Sequence, residues 1–233
     1  TTNLETCRRL TWQPAQPLEE TPMASDKRTT LYLIRHGATA SNEQVPPILQ
    51  GSGVDSALSE LGQKQAETTG RLLASLQLDA VFSSPMARAV ATAKAIAAPH
   101  NLAVSAVDNL HEIDVGQWEG LDWGTISKQT PDAYRQFMKD SGTHGYLGGE
   151  SYQDVLDRVL PPIEKLIEEF EGRTIAVVAH KAVNRSLLAS MLGLEMCRAK
   201  DLPQDNCCVN RIIARRGELK LDMMNSALHL ASL

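Results

Sequence analysis

The chain has 233 residues, of which 22% are charged and 42% apolar. At ~150 residues per domain this is one large domain or two small ones, long enough to bury a core without staples. The net charge of −5, from 28 acidic and 23 basic side chains, argues against a nucleic-acid binder or an anionic-membrane binder, which need a basic excess. A small anionic substrate stays open, because a few arginines in one cleft outweigh a mildly acidic exterior. No run reaches the ~18 apolar residues of a membrane span. The four cysteines, Cys7, Cys197, Cys207 and Cys208, form no spaced framework and no C-x-x-C pair, so they are expected as free thiols in a reducing compartment.

Residues 1–28 hold Pro14, Pro17, Pro22 and the pair Glu19-Glu20 without periodicity, and are expected to be a mobile tail ahead of a domain over 29–233. Met23 leaves two readings of 1–22, a translated upstream stretch or the remnant of a processed leader. The first makes the protein cytoplasmic, the default; the second points to an organelle such as a plastid. A β-rich run predicts a strand over 29–34. From Leu58 a helix is expected with Ser59 as N-cap and Leu61, Leu72, Leu73 and Leu76 as its apolar positions. A strand over 79–83 precedes an Ala-rich helix over 88–98 that Pro99 should stop, and 102–107 reads as another strand. The stretch 120–150 is polar and glycine-spotted, an excursion with a short helix at 131–139. A helix over 152–170, interrupted or bent at Pro161-Pro162, leads to the most apolar strand, 174–178. A helix over 183–192 closes at Gly193, and 208–214 with 218–223 forms a hairpin turning near Gly217. Strands alternating with helices predict an α/β fold: a three-layer α/β/α sandwich around a mostly parallel sheet.

In such sheets ligands bind beyond the carboxyl ends of the strands. Arg35-His36-Gly37 follows the first strand directly, His180 follows the strand over 174–178, and Arg88 stands near a helix start after the 79–83 strand. Arginine forks match phosphate oxygens, so two histidines and two arginines at strand ends make a phosphate cradle. Each alone is weak, since a strand-end histidine is more often structural.

The string Leu31-Tyr32-Leu33-Ile34-Arg35-His36-Gly37-Ala38-Thr39 resembles the signature of the histidine phosphatase (phosphoglycerate mutase-like) superfamily. The resemblance continues in order through Asn42, Gln50-Gly51, Ser59-Glu60-Leu61-Gly62, Ser83-Ser84-Pro85 with Arg88, Glu112, Trp118-Glu119-Gly120, Gly149-Glu150-Ser151, Arg158, and Val177-Val178-Ala179-His180 with Arg185. It spans roughly Thr30 to His229 and implies a phosphoglycerate mutase-like fold and a phosphoric monoester hydrolase. His36 would be the nucleophile, neutral at pH 7 because an unperturbed imidazole has a pKa of ~6.5. Arg35, Arg88 and His180 would hold the non-bridging oxygens, with Asn42, Gln50 and Gly51 also in the substrate site. Glu112 would protonate the leaving oxygen and then activate water, a role that needs a carboxyl with a raised pKa; its bland reading is a surface carboxylate. The resemblance implies no metal and no cofactor.

Lys181 departs from the glycine usual after the second histidine, and either reaches a second anionic group of the substrate or points to solvent. With Asp205-Asn206-Cys207, this stretch resembles the sugar-phosphate phosphatase branch that includes 2-carboxyarabinitol 1-phosphatase and α-ribazole phosphatase, and Asn206 is expected to support the site. The expected partner is a small phosphorylated metabolite, with no nucleic acid and no membrane, on a monomer or homodimer. Two other readings stand: a cofactor-dependent phosphoglycerate mutase, disfavoured because no basic residue lies between Glu112 and Gly120, and a non-catalytic scaffold, disfavoured because every cradle residue is present. Specificity should come from 45–54 and 120–150. Trp118, Trp123, Tyr134 and Tyr146 either line a pocket or pack the core.

Overall fold

The computed structural model describes residues 27–233; the expected tail over 1–28 lies outside the described residues except for the exposed Lys27 and Arg28. The strands are β1 (Thr29–Arg35), β2 (Ala80–Ser83), β3 (Val104–Ala106), β4 (Thr174–Ala179), β5 (Val209–Arg215) and β6 (Glu218–Ser226). The helices are α1 (Ala40–Glu43), α2 (Glu60–Leu73), α3 (Ala87–Ala97), α4 (Trp123–Gln129), α5 (Pro131–Lys139), α6 (Tyr152–Glu169) and α7 (Lys181–Met191).

One sheet runs β3-β2-β4-β1-β5-β6. Its first four strands are parallel, β5 adds antiparallel to β1, and β6 adds antiparallel to β5. Both faces are buried, and the period-2 alternation of side chains divides them. Leu31 and Leu33 of β1 with Ile175 and Val177 of β4 face the core beneath α6 and α7. Tyr32 and Ile34 with Ala176 and Val178 face α3 and Leu73 of α2. The three-layer α/β/α sandwich expected from the sequence is the fold. Among the described residues no helix is long and apolar enough to cross a membrane.

Local chemistry sets several boundaries. Ser59 caps α2 by accepting from Gly62 N, and a Cβ at Gly62 would drive into the Ala38 carbonyl, so only glycine lets this turn approach the loop after β1. The inward face of α2 is not the leucine set expected: Leu61 and Leu72 are 37% and 44% exposed, and Gly62, Ala66, Thr69, Gly70 and Leu73 are buried. Gly70 has to be small because α2 packs closely against α3 there: a Cβ on it would meet the Ala95 carbonyl at 2.4 Å. Helix α3 ends at Ala97, just ahead of Pro99 as expected, and a 3-10 turn (Ala98–His100) carries the chain on. Pro161 and Pro162 do not interrupt α6, which is assigned as one helix. Pro161 is exposed and Pro162 only half-buried, so solvent can serve the carbonyls their missing N–H groups would have bonded. The β5–β6 hairpin turns through Arg216 and Gly217, both at positive φ, as a two-residue hairpin turn demands. The sequence missed α1 and α4, and α7 begins two residues earlier than expected, at Lys181.

Candidate active site

Because β2, β4 and β1 are parallel neighbours, their carboxyl ends lie side by side. They deliver Ser84, His180 and Arg35-His36 to one place.

The His36 ring is 2% exposed, and its Nδ1 lies 2.7 Å from the Gly37 carbonyl oxygen. A carbonyl only accepts, so Nδ1 carries the proton and the lone pair of the neutral ring is on Nε2. Burial, and then the charges of Arg35 and Arg88, push the His36 pKa well below 6.5. His180 is fully buried with its ring centroid 5.1 Å from that of His36. Burial, then His36 and Arg88, push its pKa down in the same way. Its Nε2 is bonded to Ser84 Oγ at 2.7 Å, while its Nδ1 is buried without a partner.

The two arginines are pinned at their tips. Arg35 Nη1 donates to the Gln204 carbonyl at 2.8 Å. Arg88 donates through Nη1 to the Val54 carbonyl at 2.8 Å and through Nη2 to that of Gly51 at 3.1 Å, with Asp55 Oδ1 3.6 Å away. Among the described residues the Nε of each is buried without a partner, like His180 Nδ1. Buried polar atoms without partners are uncommon and call for an explanation; here three belong to strand-end residues that the sequence had grouped.

Glu112 is 5% exposed, not a surface carboxylate. Its Oε1 accepts from Ile113 N at 3.0 Å and Ala182 N at 3.1 Å, and its Oε2 from Lys181 N at 3.0 Å. The carboxyl therefore sits on the first N–H groups of α7, directly after His180. Ala182 N also lies 3.4 Å from Oε2, so it bridges both oxygens, and three backbone N–H groups cradle the carboxyl.

Arg35, His36, Asn42, Gln50, Glu112, Lys181 and Asn206 line one cavity of about 710 Å³; Arg88 and His180 are fully buried beside them. Asn42 Oδ1 accepts from Thr39 N and from Asn206 Nδ2, which leaves the Asn42 NH₂ as the donor without an assigned partner. Asn206 Nδ2 also donates to the His36 carbonyl at 3.1 Å, bracing the backbone of that residue. Gln50 is tied at Oε1 to Thr39 and at Nε2 to the Val54 carbonyl. The Gly51 N–H donates to Glu119 Oε1 at 2.8 Å, and its carbonyl accepts from Arg88 Nη2 at 3.1 Å. The Gly51 carbonyl thereby fixes one end of the Arg88 guanidinium. Lys181 is half-buried and lines the cavity.

The far wall is apolar. Ile48, Leu49, Trp123, Tyr134, Phe137 and Tyr146 line it, drawn from the two segments expected to carry specificity. Trp118 packs behind that wall, 1% exposed, with its Nε1–H on Thr130 Oγ1 at 3.0 Å. Sequence reasoning assigned no role to Ser84, Glu119, Arg158 or Arg185. Arg158 donates to the carbonyls of Asn109, His111 and Glu112 and pairs with Glu150. Its place in the family motif was the only available signal. Among the described residues no group of three or more His, Cys, Asp or Glu side chains is placed to hold a metal ion.

A family model described as the histidine phosphatase superfamily (branch 1) matches residues 31–227. Phosphoserine phosphatase 1 of Hydrogenobacter thermophilus is 29% identical over 86% of this chain and 93% of its own length. The 2-carboxy-D-arabinitol-1-phosphatase of Triticum aestivum is 32% identical over 80% of this chain, a match covering 37% of the wheat protein. The solved structure of mycobacterial glucosyl-3-phosphoglycerate phosphatase superposes with a TM-score of 0.77 at 28% identity, covering 86% of this chain and 100% of that one.

Proposed function

The chain belongs to the histidine phosphatase superfamily and is a phosphoric monoester hydrolase, and from that premise we propose that it works through a phosphohistidine on His36. The observation that carries this reading is the buried, neutral His36 ring, its Nδ1 pinned to Gly37, set among three buried nitrogens that lack protein partners: Arg35 Nε, Arg88 Nε and His180 Nδ1. A phosphate group is the ligand whose oxygens satisfy such donors. In water-poor surroundings they stabilise the transferring group strongly.

The steps follow from the atoms available. His36 Nε2 attacks phosphorus as the ester P–O bond breaks, and Glu112 gives a proton to the leaving oxygen. Water then attacks the phosphohistidine, Glu112 takes its proton, and the P–N bond breaks to return neutral His36 and free phosphate. His180 donates from Nδ1 while Ser84 Oγ donates to its Nε2, the only arrangement in which a neutral imidazole serves both partners. Asn42 adds a donor from its NH₂ group.

The substrate class is a sugar phosphate or a carboxylated metabolite phosphate. Phosphoserine, glucosyl-3-phosphoglycerate and 2-carboxyarabinitol 1-phosphate, the compounds in the relatives' names, are all phosphomonoesters that also carry a carboxylate. The free thiols Cys197, Cys207 and Cys208 suit a reducing compartment, the cytoplasm in the first instance.

Rapid quench with a radiolabelled phosphomonoester tests the mechanism. Wild-type protein should carry acid-labile label, and His36→Asn should carry none and lose turnover by about 10⁴ or more. Undiminished phosphate release by His36→Asn would overturn it.

A further inference from the structure

The cavity holds a second group of cations that the hydrolytic steps leave unused. Lys181 and Arg185 are one turn apart on α7, roughly 6 Å along its axis, and both line the cavity beyond Glu112. Lys181 Nζ has no hydrogen-bond or ion-pair partner among the described residues. Arg185 spends Nε on the Leu202 carbonyl at 2.7 Å and Nη1 on the Tyr152 hydroxyl at 3.5 Å, which leaves Nη2. The nearby acids are otherwise engaged. Glu112 is held on backbone N–H groups, Asp205 bonds Asn225 Nδ2 at 2.9 Å, and Asp201 pairs with Arg198 at 2.9 Å.

Leaving cations half-buried and unpaired costs free energy. The Lys181 ammonium shows it: burial, then Arg35 and Arg185, bring its pKa down to about 8. An anion between these side chains would relieve that penalty. The Glu112 carboxyl lies on the N–H groups that open the same helix, so a substrate with its ester oxygen at Glu112 and its phosphate at His36 directs the rest of its skeleton along α7.

We propose that Lys181 and Arg185 form a second anion subsite, binding a carboxylate or second phosphate of the phosphomonoester whose ester phosphate sits at His36. The subsite rests on the phosphatase reading for its orientation. It selects dianionic skeletons over neutral ones of the same size, and Lys181 is the residue that sets this preference.

The test compares 3-phosphoglycerate with glycerol 1-phosphate, and propane-1,3-diol bisphosphate with its monophosphate, in wild type, Lys181→Gln, Arg185→Gln and Lys181→Arg. Wild type should prefer the doubly anionic member of at least one pair by about tenfold in kcat/KM. The preferred pair tells carboxylate from phosphate. Each glutamine variant should cut the preference to within roughly twofold, through KM, and Lys181→Arg should retain it, which separates loss of charge from a folding defect. No preference in either pair, or a preference unchanged in both glutamine variants, overturns the subsite. Calorimetry of the same compounds on His36→Asn protein separates the two readings. Binding selectivity that depends on Lys181 without any hydrolysis by wild type would retain the subsite and remove the phosphatase mechanism. Hydrolysis with unselective binding would do the reverse.

Discussion

The backbone N–H of Lys181 donates to Glu112 Oε2 at 3.0 Å. This bond joins two parts of the chain that no local pattern relates, and places a carboxyl directly after the strand-end histidine His180. Both of its oxygens accept backbone N–H groups, Oε1 from Ile113 and Ala182 and Oε2 from Lys181 and, at 3.4 Å, Ala182.

Replacing Glu112 by Gln should therefore separate the two chemical steps. For an alkyl phosphate, kcat should fall by about 10²–10⁴, the usual worth of a positioned acid or base. For p-nitrophenyl phosphate, whose leaving group needs no proton, the first step should survive and the second should slow. Stopped flow would then show a burst of nitrophenolate followed by slow turnover; equal losses on both substrates with no burst would count against Glu112 as the proton carrier.

Ser84 should matter to catalysis although it touches no substrate in the proposed arrangement. Ser84→Ala removes the partner of His180 Nε2 and releases the tautomer that keeps a proton on Nδ1. At about 1–3 kcal/mol for a lost buried partner, kcat/KM should fall roughly 5- to 150-fold. Inhibition by inorganic phosphate should weaken in parallel, a readout that a purely structural role for Ser84 would not move.

The two buried histidines make stability depend on pH in a fixed direction. Both are held neutral in the folded protein, with pKa values well below 6.5. Below pH 6.5, the ordinary histidine value, the unfolded chain binds protons that the folded chain does not. Their contribution is thus fully present above that pH and is lost as pH falls beneath it, at up to about 1.4 kcal/mol per pH unit for each ring. Urea midpoints measured across the acid range should show this slope, and His36→Gln should flatten it. A wild-type midpoint that is constant down through the acid range would refute the assignment.

Arg158 should carry more stability than its half-buried position suggests. It holds the carbonyls of Asn109, His111 and Glu112 and makes a bidentate contact with Glu150. Arg158→Gln strands these acceptors and an unpaired carboxylate, and should cost about 2–4 kcal/mol in urea titration. Amide exchange at Ile113 and Asp114 should accelerate more than exchange in β1.

The sheet was largely legible. β1 and β4 are short apolar runs bounded by polar residues, and their boundaries were recovered to within a residue. The interior face of α2 was not, because leucine periodicity is a poor guide where helices approach closely enough to demand Gly62, Ala66 and Gly70. α4 was missed because its signal is weak: its N-cap, Asp122, accepts from Gly124 N and Thr125 N, yet only Ile126 of its residues is buried.

What the sequence by itself determined is the placement of His36 and His180. Each follows the last residue of a strand, so recognising the strand also places the side chain at its carboxyl end. Only the tertiary structure decided the rest: that Gly51 holds Arg88 from 37 residues away, that Glu112 rests on Ala182 across 70, and that Lys181 and Arg185 line the cavity. Periodicity tells which face of an element is buried. Which other element covers that face, and which donors and acceptors then meet, depends on long-range packing that no local pattern of residues encodes.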